Sequence, residues 1–248
     1  MPLAGKGMLL TSMDIDEAHE AEFNRWYDRE HLEERVAIEG FIEARRYVAL
    51  ETSYTINSAR VSAGGAVSEY LFTPQQALPK YLSLYSTESI ETLNSPAYKN
   101  RLANPTEWST TTMARFRNMI RAVARITLSR GNGRGAALGA IRLRPAKESQ
   151  ESLRSFLGDA LDPRALDGII SMHLIENDPA LSAPTAGIPS ANAGGSDWFV
   201  LIDAIDVRAA ALAISLPLID KDAGFRSAVI SAGTYRLLWG ISKGEIPA

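Results

Sequence analysis

Gly40-Phe41-Ile42-Glu43-Ala44-Arg45-Arg46-Tyr47 and Gly168-Ile169-Ile170-Ser171-Met172-His173-Leu174-Ile175 share one layout: a glycine after an acidic residue, then a short strand-like run. Their offset of 128 residues also carries the first apolar run, Met8 to Ile15, onto Ala136 to Leu143, and it is about half of a 248-residue chain. Internal repetition at that scale decides the fold before any local reading does. Further along, Tyr81 to Tyr85 matches Trp198 to Ile202 at an offset of 117, so the first half has the longer connector, Thr52 to Lys80, against Ala180 to Ser196. Both connectors are rich in Ser, Ala, Gly and Pro, the composition of exposed or ligand-covering loops.

Working outward, each half reads strand, helix, strand, long loop, strand, helix, strand. The first half predicts strands at Met8–Ile15, Phe41–Leu50, Leu82–Ser86 and Met119–Leu128, with helices at Asp16–Ile38 and Ile90–Leu102. The second predicts strands at Leu138–Leu143, Ile169–Ile175, Trp198–Ala204 and Tyr235–Ile241, with helices at Glu148–Leu157 and Val207–Leu218. The order βαββαβ is the ferredoxin-like split unit. The glycines of Arg130-Gly-Asn-Gly-Arg-Gly135 interrupt both periodicities, dividing the chain into units 1–130 and 136–248. A four-stranded sheet with helices on one face leaves the other bare, and a second copy is the simplest cover. Apolar residues on both faces of Met8–Met13 and Tyr81–Tyr85 agree with sheets buried on both sides. The expected fold is therefore α+β: two tandem ferredoxin-like repeats packed sheet to sheet within one chain.

Composition narrows the chemistry. A net charge of −3 offers no general attraction to nucleic acid or to an anionic membrane surface. Zero Cys removes disulfides, thiolate metal sites and thiol nucleophiles. No apolar run approaches the roughly 20 residues of a membrane span and no leader pattern opens the chain, so the cytoplasm is the expected compartment.

The segment Glu20 to Arg46 stands apart. At 100° per residue, His19, Phe23, Trp26, Tyr27, Glu30 and Glu34 share about a third of the helix circumference, with His31 at the edge. A core-facing helix without a site would present Leu, Ile and Ala there, so this helix is expected to line a chamber that the two sheets close between them. Its counterpart, Glu148–Leu157, carries Arg154 and Ser155 where Trp26 and Tyr27 fall, and no histidine. Phe23-Asn-x-Trp26-Tyr27-x-x-Glu30-His31-Leu32-x-Glu34-Arg35, followed by Gly40-Phe41 and Ala44-Arg45-Arg46-Tyr47, resembles the helix-to-strand signature of an uncharacterised bacterial family of the dimeric α+β barrel superfamily, related to EthD-like proteins. Tyr81-x-x-x-Tyr85 and Ser95-Pro96-x-Tyr98 extend the likeness over most of the first half, while the second half is similar in layout only. The resemblance implies a tandem-duplicated barrel. Relatives in that superfamily include cyclases, monooxygenases, isomerases, haem enzymes and proteins of no known reaction, so it does not choose an activity.

His31 is the expected general acid or base, because imidazole exchanges protons near neutral pH; a surface histidine satisfied by Glu34 is the inert alternative. Glu30 is expected to orient His31 or act as a base, unless it is merely solvated. Tyr27 is expected to donate to a developing oxyanion, Trp26 to stack on an aromatic substrate or fill the core, and Tyr85 to contact substrate. Arg45 and Arg46 point to opposite faces of one strand, so only one faces the cavity and binds a carboxylate or phenolate. His173, at the Arg45 position of the second half, lines the barrel interior if Arg45 points inward. His19, His31, His173 and Glu30 lack the spacing of a metal chelate, and Gly131-Asn-Gly-Arg-Gly135 lacks that of a phosphate loop. These residues lead to a cofactor-independent lyase, isomerase or cyclase working by general acid–base catalysis on a small aromatic or cyclic carbonyl compound. A non-catalytic ligand-binding or scaffold protein and a cofactor-free monooxygenase are the alternatives. A haem held by a histidine and a homodimer of the whole chain stay open.

Overall fold

The computed structural model describes residues 5–49, 55–56, 72–73, 79–183, 196–215 and 223–246. Most of the two connectors, and the expected helix beyond Ser215, lie outside them. Strand β1 (Gly7–Asp14) leads into helix α1 (Glu17–Trp26), a π-helical turn (Tyr27–His31) and α2 (Leu32–Ala37). Then come β2 (Phe41–Ala49), the short ribbon strands β3 (Thr55–Ile56) and β4 (Phe72–Thr73), and β5 (Tyr81–Thr87). Helices α3 (Pro96–Ala103) and α4 (Glu107–Met113) precede β6 (Arg117–Gly131). The second half runs β7 (Ala137–Leu143), α5 (Gln150–Ala160), β8 (Ile169–Asn177), β9 (Trp198–Ala204), α6 (Val207–Ser215), α7 (Ala223–Ala228) and β10 (Val229–Ser242).

Eight strands close into an antiparallel barrel in the order β1-β5-β2-β10-β7-β9-β8-β6. Numbering the barrel strands of each half one to four, both halves show the order 4-1-3-2, so one topology occurs twice. The halves join through β2 with β10 and β6 with β8. The chain is thus a dimeric α+β barrel closed within one polypeptide. No helix among the described residues is long and apolar enough to cross a membrane.

Strand alternation sorts the side chains into three layers. Met8, Leu10, Tyr47, Leu82, Leu84, Ile120, Leu138, Ile175, Phe199, Leu201 and Tyr235 fill the barrel interior from both halves. Leu9, Met13, Tyr85, Met119 and Val123 face outward beneath the helices of the first half. Ile141, Leu153, Leu157, Met172, Val200, Ile214 and Phe225 make the corresponding layer of the second. The interior between the sheets is packed with side chains, so the aromatic helix covers the outside of its sheet instead of lining a chamber between sheets.

Three local differences from the expected elements have physical causes. The helix expected at Ile90–Leu102 breaks at Ser95, because a residue preceding proline is pushed out of the helical region; Ser95 sits at φ −65, ψ 155 and caps α3 by accepting from the Tyr98 N–H. Helix α4 starts from a second such cap, Thr106 accepting from the Ser109 N–H. The long helix expected at Asp16–Ile38 is interrupted by the π turn, where the Leu32 N–H reaches back to the Tyr27 carbonyl.

Candidate functional site

The π turn decides which side chains are buried. Its extra residue advances the helical phase by roughly 100°. As a result His31 and Arg35 turn inward, at 8% and 5% exposure. Glu30 and Glu34, which an uninterrupted helix would point inward, stand at the partly exposed margin. Tyr27 and His31 both lie in the π turn and both are buried.

A cavity of about 40 Å³ lies between this helix, α3, α4 and the outer face of the first-half sheet. Its polar lining is Thr11 from β1, Tyr27, His31 and Arg35 from the helix, Tyr85 from β5, Tyr98 from α3 and Arg121 from β6. Leu9, Met13, Phe116 and Met119 supply apolar walls, and the half-buried Leu102 and Met113 stand at the mouth. Four polar atoms on this lining are buried without a hydrogen-bond partner: Thr11 Oγ1, His31 Nδ1, Arg35 Nη1 and the Tyr85 hydroxyl. Buried polar groups are nearly always satisfied, so four orphans around one space need an account.

The His31 ring stacks on Trp26 at 4.1 Å and meets Tyr27 edge-on at 5.1 Å. Tyr85 is perpendicular to it at 6.3 Å. Burial, reinforced by the charges of Arg35, Arg46 and Arg101, holds the His31 imidazole well below its ordinary 6.5, so the ring is neutral at pH 7. Burial pushes the Tyr85 phenol well above 10, keeping it a hydrogen-bond donor. The Tyr27 hydroxyl donates to the weak acceptor Met13 Sδ, at 3.7 Å, and lies close to the Tyr85 phenol. A neutral base and two phenol donors therefore share one small, mostly apolar space.

The other expected site residues lie elsewhere. Glu30 does not orient His31: its carboxylate accepts from Trp26 Nε1 (3.1 Å), Thr106 Oγ1 (2.6 Å) and Ser109 Oγ (3.1 Å), tying α1 to α4. Glu34 pairs with Arg101. Trp26, fully buried, lies behind His31 and is not on the cavity lining. Arg46 faces the helix layer, stacked over Tyr27 at 4.2 Å and bonded to Asn24 at 2.6 Å, and is not on the cavity lining. Arg45 points into the barrel, where Nη1 donates to the Tyr47 hydroxyl (2.6 Å) and to Asp203 Oδ1 (2.8 Å). His173 joins it there, with Ser129 Oγ at 2.7 Å on Nδ1 and Ser171 Oγ at 2.9 Å on Nε2. Neither expected arginine reaches the cavity; Arg35 and Arg121 do. Arg35 stands four residues after His31, and that helical spacing was the available signal for it.

A haem does not fit these residues. The space beside His31 holds only a few waters, and both ring nitrogens of the buried His173 are engaged. Among the described residues no group of three His, Asp or Glu side chains is placed to hold a metal.

Among solved structures, an anthrone oxidase-like protein aligns over 100% of this chain and 98% of its own, with TM-score 0.61 and 11% identity. A proposed monooxygenase from Fusobacterium nucleatum subsp. nucleatum aligns over 97% and 95%, with TM-score 0.54 and 6% identity. A proposed chlorite dismutase aligns over 98% and 97%, with TM-score 0.50 and 13% identity. These likenesses are of fold. No family model matches the sequence, so no relation to EthD-like proteins is drawn from that comparison, and no curated protein matches it either.

Proposed function

We propose that the His31 cavity is the active site of a cofactor-independent lyase, isomerase or cyclase acting on a small aromatic or cyclic carbonyl compound. The observation that carries this reading is the set of four orphaned polar atoms around one cavity, which a bound molecule with its own donors and acceptors would satisfy. A scaffold with a filled interior would leave no space beside His31, whereas here a cavity opens on it.

Neutral His31 takes a proton from the carbon next to the substrate carbonyl, and the charge moves to the carbonyl oxygen. The hydroxyls of Tyr27 and Tyr85 donate to that oxygen as it becomes an enolate. Because burial disfavours the charged imidazole, the proton is returned readily, either to another carbon in an isomerisation or to a leaving group in a cleavage. No redox partner is needed for either outcome.

Oxygen chemistry is the second reading, and two fold neighbours are named for it. The same enolate reacts with O₂; one oxygen atom enters the product as a new carbonyl, and the other leaves as water with the two hydrogens of the attacked carbon. Both readings begin with the same proton transfer, so the test measures that step. A panel of small cyclic keto acids is incubated in D₂O, deuterium uptake is followed by mass spectrometry, and O₂ consumption is recorded in parallel. His31→Ala should slow exchange about 10²- to 10⁴-fold. Exchange unchanged in that variant would refute the mechanism, and stoichiometric O₂ uptake would select the oxygenase.

A further inference from the structure

Among the described residues, five arginines are buried to 9% exposure or less: Arg35, Arg45, Arg46, Arg121 and Arg142. Three have a carboxylate partner. Arg45 pairs with Asp203 at 2.8 Å, Arg46 with Asp28 at 3.4 Å and Arg142 with Asp197 at 2.5 Å. The remaining two, Arg35 and Arg121, form no salt bridge with any described residue, and they line the same cavity. Among the described residues Arg121 donates to two neutral oxygens, the Leu181 carbonyl at 2.8 Å and the Tyr98 hydroxyl at 3.4 Å. Arg35 Nη1 is buried with no acceptor among the described residues. Glu34, next to Arg35 in sequence, is taken by Arg101, and none of the lining residues is acidic.

A guanidinium without a counter-charge is costly to bury, and two beside one space are costlier still. Elsewhere this chain meets that cost with an aspartate. At the cavity the missing anion is external. We propose that Arg35 and Arg121 bind the carboxylate of the substrate, which is therefore an organic acid with an apolar, ring-bearing body. This rests on the reading of the cavity as the substrate site and adds the chemical class.

Size and wall chemistry agree. A space of about 40 Å³ takes a carboxylate head in place of a few waters, with the body lying toward the mouth at Leu102 and Met113. The planar guanidinium fork matches a carboxylate. Leu9, Met13, Phe116 and Met119 have nothing to offer the additional oxygens of phosphate or sulfate. With the acid end held by the arginines, the Tyr27 and Tyr85 hydroxyls are left for the carbonyl oxygen.

Calorimetric titration of the whole chain with benzoate, benzamide and inorganic phosphate tests this. Benzoate should bind one per chain, benzamide at least about tenfold more weakly, and phosphate should not displace benzoate. Arg35→Gln and Arg121→Gln should each weaken benzoate at least about tenfold, whereas Arg25→Gln, at an exposed position, should not. If the glutamine variants fail to fold, the benzoate-to-benzamide ratio of the unaltered protein decides alone. No benzoate binding, equal affinity for benzamide, displacement by phosphate, or full affinity in both glutamine variants would each overturn the proposal. His31→Ala separates the two claims: it should keep benzoate affinity while losing deuterium exchange. Exchange that depends on His31 beside binding indifferent to the arginines sinks only the present inference.

Discussion

Arg35 and Arg45 form a matched pair, alike in side chain and at 5% and 6% exposure, that differs in having a counter-ion. Replacing each by Met keeps most of the buried aliphatic stem and removes the charge. Arg45→Met takes the cation from the Asp203 carboxylate at 0% side-chain exposure, leaving the Gly135 N–H at 3.3 Å, Ser171 Oγ at 3.4 Å and the neutral His173 Nε2 at 3.6 Å facing it. Breaking a buried pair from one side costs about 3–5 kcal/mol. In a chain of this length that is a fall in Tm of roughly 6–20 °C. Arg35→Met strands no acid, so in the ligand-free protein it should cost less than about 1 kcal/mol, or raise stability. Urea unfolding, followed by tryptophan fluorescence and far-UV circular dichroism to check two-state behaviour, measures both. Arg45→Met/Asp203→Leu should recover most of the loss by removing the stranded charge. Equal destabilisation by Arg35→Met and Arg45→Met would refute the charge accounting on which the carboxylate inference stands.

Two further predictions concern pH and backbone space. Burial holds both His31 and His173 below 6.5 in the folded chain, so as pH falls the unfolded chain takes up protons first. Stability should be whole above about pH 6.5 and decline below it, by up to about 1.4 kcal/mol per pH unit for each histidine. His31→Gln and His173→Gln should each flatten that slope in denaturation series from pH 7 to 5; an unaltered slope in both refutes the assignment. A Cβ added at Gly135 would fall 1.8 Å from the Ala204 carbonyl oxygen, which is backbone and cannot swing away. Gly135→Ala should therefore lose at least about 2 kcal/mol, while Gly244→Ala, with nothing within 4 Å, should stay within about 0.5 kcal/mol. Similar unfolding midpoints for the two would contradict the close approach of the β6–β7 turn to β9.

The fold was legible because strand order follows from the repeated βαββαβ layout, and a layout is robust to weak residue identity. The cavity's own helix was legible in part. Tyr27 and His31 do meet there, yet no periodicity announces a π turn, so Glu30 and Glu34 were placed inward and Arg35 overlooked. Alternation showed that Arg45 and Arg46 oppose each other. It could not say which faces the barrel, because β2 is buried on both sides and neither face reads as polar. The partners of Glu30 come from Thr106 and Ser109 on α4, a helix that the sequence pattern did not mark. The filled barrel interior, where a chamber was expected, reflects Tyr47 and Tyr235 occupying space that alternation alone left unassigned.

The turn between β6 and β7, residues 132–136, has a thermodynamic effect beyond connection. Where two separate chains must find each other to complete such a barrel, dilution pulls them apart. Here a short tether sets the local concentration of one half around the other at roughly the millimolar level. The seams β2 with β10 and β6 with β8 therefore close as intramolecular events, and closing the barrel itself carries no dependence on protein concentration.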